Sequence, residues 1–248
     1  NIPITGSDMN ILSETVAILK QFKDFSIFSE LGGIIHKLED KIYSEGLNQD
    51  TIIHLDKNEN LKGLEYLDLL YQAILKKVCL DIHYQSFNAR SPSNVPFHPY
   101  ILKEFNNRWF LVGKNDVSDK LLTLALDRMI AIKYNLELEY KNKDFDSDDY
   151  YKHTIGVTVL NENNLKLVRL KVNRSNAPYV ITKPLHNSQK LIEKLKDGSI
   201  VVEIKVHLNF ELERLVLGFG ESIEVLRPKR LRGRIHKNLI NATNNYID

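Results

Sequence analysis

The feature that most limits how this chain can fold is a change of apolar period near residue 77. Val16, Ile18, Leu19, Phe22 and Phe25, and then Phe28, Leu31, Ile34, Ile35, Leu38 and Ile42, recur at helical spacing, which predicts two antiparallel helices. Gly32-Gly33 falls inside the second; each interior glycine costs up to about 1 kcal/mol against alanine, so the helix breaks there or uses the pair for close packing. Asn48 to Asn60 reads as a strand edge and a loop, and a third helix is predicted from Leu61 to Lys77. Beyond it Leu80, Ile82 and Tyr84 alternate with Asp81 and His83, the two-residue period of a half-buried strand. Phe97 to Tyr100, Trp109 to Gly113, Leu121 to Leu126 and Met129 to Tyr134 continue as short strands between turns such as Asn106-Asn107. Short strands packed this closely in sequence predict a small barrel or a curled sheet.

The acidic run Asp144 to Asp149 interrupts the pattern and is a candidate boundary. After it come a strand (Lys166 to Val172), a short helix (Ser175 to Val180), a strand near Leu191, a strongly alternating strand (Ser199 to Leu208), a helix (Glu211 to Phe219), a strand (Ile223 to Leu226) and a terminal helix from Pro228. Strand and helix order is thus βαββαβ, the ferredoxin-like signature. The fold class expected is α+β: a helical linker region over 1–70, a small β-barrel domain over 71–145, and a ferredoxin-like domain with a terminal helix over 150–248.

Chemistry that needs a signature motif finds little material. There is no G-x-S-x-G, no H-E-x-x-H, no phosphate-binding P-loop, and Gly218-Phe219-Gly220 closes a helix instead of opening one. The eight histidines include no i, i+4 pair, and a single cysteine, Cys79 in an apolar run, excludes an internal disulfide. No catalytic residue, metal or cofactor is expected. No apolar run reaches the roughly 18–20 residues of a membrane span and no secretory leader opens the chain, so a cytoplasmic location away from membranes is expected. The first residue is Asn1, not Met, which predicts a preceding segment. The net charge of +2 hides an asymmetry: six Lys and Arg stand against twelve Asp and Glu over 1–70, and seventeen against nine over 151–248. Arg227, Lys229, Arg230, Arg232, Arg234 and Lys237 concentrate the basic end, where a phosphate site and a solvated helix face are both open readings.

The most informative stretch is Phe97 to Gly113, with Pro99-Tyr100 and Arg108-Trp109-Phe110-Leu111, followed by Leu126-Asp127-Arg128. Together with the strand Leu80 to Tyr84, it resembles the WYL domain, a regulatory module of bacterial transcription factors named for a Trp-Tyr-Leu triplet. Lys183 to Gln189, Glu211 to Arg214 and Val225 to Arg232 resemble the C-terminal extension that accompanies such domains. The N-terminal helices resemble the linker that joins them to a winged helix-turn-helix, here outside the sequence. The resemblance implies an Sm-like or SH3-like barrel that senses a nucleic-acid fragment or nucleotide-like anion. It implies promoter DNA as a partner through the upstream head, single-stranded nucleic acid or a nucleotide as the effector, and a homodimer.

Carried over by position, Tyr84, His98, Tyr100, Arg108, Trp109 and Arg128 line or support the ligand pocket, and Asp127 orients Arg128. Arginine beside an aromatic ring suits phosphate pairing with base stacking. Leu122 and Ala125 stand where relatives often carry basic residues, and Phe110 replaces Tyr and its hydroxyl. Two other readings of the same chain are a protein-interaction module without ligand and an oligonucleotide-binding accessory protein of a defence system.

Overall fold

The structure, a computed structural model, describes residues 61–142 and 144–247. The two helices read between Val16 and Ile42, and the strand edge after Asn48, lie outside the described residues. The chain divides into two compact units between Lys143 and Asp144.

In the first unit the predicted third helix is shorter than its apolar pattern. Gly63 adopts φ +88°, a 3-10 turn covers Leu64–Tyr66, and only then does α1 (Leu67–Leu75) begin, burying Leu67, Leu70 and Ala73 on one face. Five strands follow: β1 (Cys79–Tyr84), β2 (Ser93–Phe105), β3 (Arg108–Asn115), β4 (Leu121–Ala125) and β5 (Met129–Asn135). They form one antiparallel sheet in the order β4-β3-β2-β1-β5. Strand β2 is far longer than the Phe97 to Tyr100 segment expected, because Pro96 and Pro99, ordinary strand breakers, are accommodated within it. Pro99 lies opposite Gly113, and the register slips by one residue at Tyr100. Gly113 is required there: a Cβ would stand 2.1 Å from the His98 carbonyl oxygen.

Alternation assigns the faces. Leu80, Ile82, Phe97, Leu111 and Leu124 point to the side that α1 covers and close a core with Leu126 and Met129. A flat sheet of this order would hold its edges, β4 and β5, about 19 Å apart. They are joined by a single 3-10 turn, Leu126–Arg128, and the step from Ala125 to Met129 spans at most about 14 Å even when extended. The sheet therefore curls around its core. The two edges nonetheless share no ladder, so it is an open curled sheet where a closed barrel was expected.

The second unit contains α2 (Ser147–Tyr151), β6 (Leu165–Val172), α3 (Ala177–Thr182), β7 (Lys190–Lys194), β8 (Ile200–His207), α4 (Phe210–Gly218), β9 (Ile223–Arg227) and α5 (Lys229–Asn244). Its strands pair antiparallel in the order β7-β8-β6-β9. Val168, Leu170 and Val172 of β6 and Ile200, Val202, Ile204 and Val206 of β8 alternate onto one face, against Leu212 and Val216 of α4 and Leu231 and Ile235 of α5. Buried Asn209 starts α4: its Oδ1 accepts the Leu212 N–H at 2.9 Å, while its Nδ2 donates to the Ile155 and Thr158 carbonyls. The acidic run holds α2, which the sequence pattern did not reveal; Asp146 caps it by accepting the Asp148 and Asp149 N–H groups. No helix among the described residues is long and apolar enough to cross a membrane.

Gly63 also touches the turn that forces the curl, since a Cβ there would lie 2.5 Å from the Leu126 carbonyl carbon. Gly63→Ala therefore combines a left-handed backbone penalty with a backbone clash, and is expected to cost about 2–4 kcal/mol in urea unfolding. A loss under about 0.5 kcal/mol would show that this approach is not needed.

Candidate functional site

The residues singled out from sequence separate into two groups on the first unit. In one, the turn after β4 brings Asp127 and Arg128 beside the start of β3. Arg108 Nε lies 3.3 Å from Asp127 Oδ2, and Arg128 Nε 3.7 Å from Asp127 Oδ1. Asp127 is nearly covered, with its side chain 14% exposed, whereas that of Arg108 is 46% exposed. Asp127 Oδ1 and Arg128 Nε are both buried and lack a hydrogen-bond partner among the described residues. The Arg128 guanidinium stands 4.4 Å from the ring centre of Phe87, itself 73% exposed. Sequence reading missed Phe87: it sits in the loop between β1 and β2, where no period marks it.

Trp109 follows Arg108 in β3, where alternation turns the two side chains to opposite faces. Trp109 shares its face with buried Leu111 and packs, partly buried, on the core, while Phe110 points the other way. Tyr84 ends β1 opposite Met129, one residue from Arg128, and also packs on the core. Leu122 packs on the core and Ala125 is buried, so neither position presents a side chain to an anion. Two arginines, one carboxylate and the exposed Phe87 ring thus meet at this edge of the sheet.

His98 and Tyr100 form the second group, on the opposite face of β2. His98 is fully buried, and its Nδ1 accepts the Lys141 backbone N–H at 3.2 Å. An accepting Nδ1 places the ring proton on Nε2, which donates to Asp116 Oδ1 at 3.0 Å. Cys79 Sγ lies 3.1 Å from the same Nδ1. Tyr100 donates to the Lys141 carbonyl, Tyr140 donates to the Pro99 carbonyl at 2.6 Å, and Lys141 Nζ reaches Asp116 at 2.7 Å. These bonds strap the segment after β5 onto the sheet. Burial, then the Asp116 carboxylate, pushes the Cys79 thiol up to about 11, which makes it a poor nucleophile at neutral pH. Burial, then Tyr100, raises the Tyr140 hydroxyl to about 12. Asp116, Tyr140 and Lys141 carried no motif, and only the tertiary fold reveals their role.

The basic end of the second unit is partly neutralised. Arg232 pairs with Glu224 at 2.6 Å and donates to the Val225 carbonyl, and Arg234 pairs with Glu213 at 3.1 Å. Arg227, Lys229, Arg230 and Lys237 are exposed. No group of three or more His, Cys, Asp or Glu among the described residues is arranged to hold a metal ion.

Residues 65–134 match the WYL domain family and residues 165–240 the WCX domain family. No curated protein sequence matches the chain. Among solved structures it is similar to Proteasome accessory factor B/C (PafBC) of Arthrobacter aurescens, with 16% identity, a TM-score of 0.31, and coverage of 78% of this chain and 29% of that one. It is also similar to a CRISPR Cas-related protein, with 12% identity, a TM-score of 0.46, and coverage of 74% and 51%. The chain thus spans less than two thirds of either neighbour's length.

The strap has a pH signature. The Lys141 ammonium, and next the His98 ring, hold the Asp116 carboxyl below its ordinary 3.8. Its stabilising contribution is complete above the unfolded value and is lost as pH falls through the lowered one. Asp116→Asn is expected to melt below wild type at pH 7, with the gap closing as pH drops under 3.8. A gap independent of pH, followed by circular dichroism, would contradict the strap's charge basis.

Proposed function

From a chain that carries a WYL domain followed by a WCX domain, we propose the effector-sensing and oligomerisation core of a bacterial DNA-binding transcriptional regulator. The two families supply the regulatory reading. The observation that carries the sensing role is the Arg108-Asp127-Arg128 cluster beside the exposed Phe87 ring. Guanidinium groups pair with phosphate oxygens in bidentate geometry, and adjacent rings stack on bases at about 1–3 kcal/mol each. The effector is a nucleic-acid fragment or nucleotide-like anion bound on the arginine side of the first unit. His98 and Tyr100 serve this site from a distance, by fixing the opposite face of β2 and the strap.

Order and pairing support the finer fold reading. The β4-β3-β2-β1-β5 order with a 3-10 turn before its last strand supports reading 71–145 as an Sm-like domain. The βαββαβ order with strands β7-β8-β6-β9 supports reading 150–248 as a ferredoxin-like domain. Residues 1–70 act as the linker toward a winged helix-turn-helix that reads promoter DNA. A homodimer in the cytoplasm matches paired half-sites on that DNA. The effector acts by population shift: it stabilises whichever arrangement of the domains binds it more tightly, and no enzymatic step is involved.

Fluorescence anisotropy with short labelled single-stranded DNA and RNA tests this reading. Binding is expected to weaken as salt rises and to fall about tenfold or more in Arg108→Ala and in Arg128→Ala, the worth of a charged hydrogen bond. Absence of binding, or binding indifferent to both substitutions, would rule out the arginine cluster as a nucleic-acid sensor.

A further inference from the structure

The charge balance of the cluster narrows the anion it can take. Arg108 and Arg128 both meet Asp127 through Nε, one on each carboxylate oxygen. No other carboxylate among the described residues forms an ion pair with either guanidinium. Asp127 cannot readily leave: its backbone N–H belongs to the turn that lies against Gly63, and its side chain is largely covered. Glu104 of the adjoining hairpin accepts the Asn107 N–H and closes its own turn. Two guanidinium groups and one carboxylate leave the site a single net positive charge. On one flank stands the exposed Phe87 ring under the Arg128 guanidinium, a flat surface of the size of a nucleobase.

Resting on the reading of this cluster as the effector site, we infer that it selects a singly charged phosphodiester over a doubly charged terminal phosphate, and that Asp127 is the residue that sets this preference. The ligand class is therefore the internal backbone of an oligonucleotide, with a neighbouring base on the Phe87-Arg128 platform. The cost of removing an ion from water rises with the square of its charge, whereas attraction to the site rises only in proportion. With one net positive charge the second phosphate charge gains too little to offset its desolvation, and it also faces the fixed Asp127 carboxylate. Without Asp127 the two arginines match a dianion.

The experiment uses two competitors that differ by one methyl group and hence by one charge, thymidine 5′-monophosphate and its methyl ester, against a fluorescein-labelled oligothymidylate at pH 8. A terminal phosphate, with a second pKa near 6, is then doubly charged. In the wild type the methyl ester is expected to compete about threefold better or more, the balance of desolvation over attraction. In Asp127→Asn the ratio moves toward the monophosphate by about fivefold or more, the worth of a unit charge at about 4 Å even in water. Phe87→Ala weakens both competitors by a common factor. Equal competition in the wild type overturns the inference even if the variant fails to fold. So does an unchanged ratio in an Asp127→Asn protein that melts normally. In either case oligothymidylate binding leaves the sensor reading intact, whereas failure of the labelled oligothymidylate to bind removes both.

Discussion

Everything distinctive about the first unit depends on the shortness of the link between the two edges of its sheet. Leu126-Asp127-Arg128 must connect strands that four inter-strand spacings would otherwise separate, and the sheet curls to satisfy it. The turn pays for its place with Leu126, almost wholly buried in the core. That anchoring leaves the next two side chains at the rim, where Asp127 meets Arg108 from β3 and Arg128 reaches the Phe87 loop. Gly63 completes the arrangement because only a residue without a Cβ allows the chain before α1 to lie against the turn. The charged cluster is thus a consequence of closing the core and not an independent surface decoration.

Strand β2 carries two different loads on its two faces. Phe97 points into the core, while its neighbour His98 points away and holds the strap through the backbone of Lys141. The register slip at Tyr100 accompanies four buried residues in a row, Phe97 to Tyr100. Further along, Leu102 packs beneath and Glu104 lies opposite Trp109. The segment that runs on to the second unit is therefore fixed by the same strand that pairs with the Arg108-Trp109 end of β3.

Much of this was legible from residue spacing. Strands β6, β8 and β9 and helices α4 and α5 announce themselves because one face of each is apolar and the other is not, and the βαββαβ order follows directly. Helix α2 was illegible: Ser147 to Tyr151 is polar, and its stability comes from the Asp146 cap instead of an apolar face. The span of β2 was hidden by its prolines. The arginine cluster was legible as a motif, but not its charge balance, which depends on which carboxylate oxygen each guanidinium meets. His98 and Tyr100 sit in the same motif yet face the other way, since alternation and a bulge determine direction where sequence proximity cannot.

We place the effector on the Arg108-Asp127-Arg128 edge of the curled sheet. A 15N-detected titration of the protein with unlabelled oligothymidylate, following the arginine Nε–H and tryptophan indole signals, tests this placement most directly. Arg108, Arg128 and Trp109 should shift first and furthest, with the backbone of the Phe87 loop. Shifts centred instead on the exposed basic residues of α5, or on His98 and the Lys141 strap, with Arg108 and Arg128 unmoved, would contradict it.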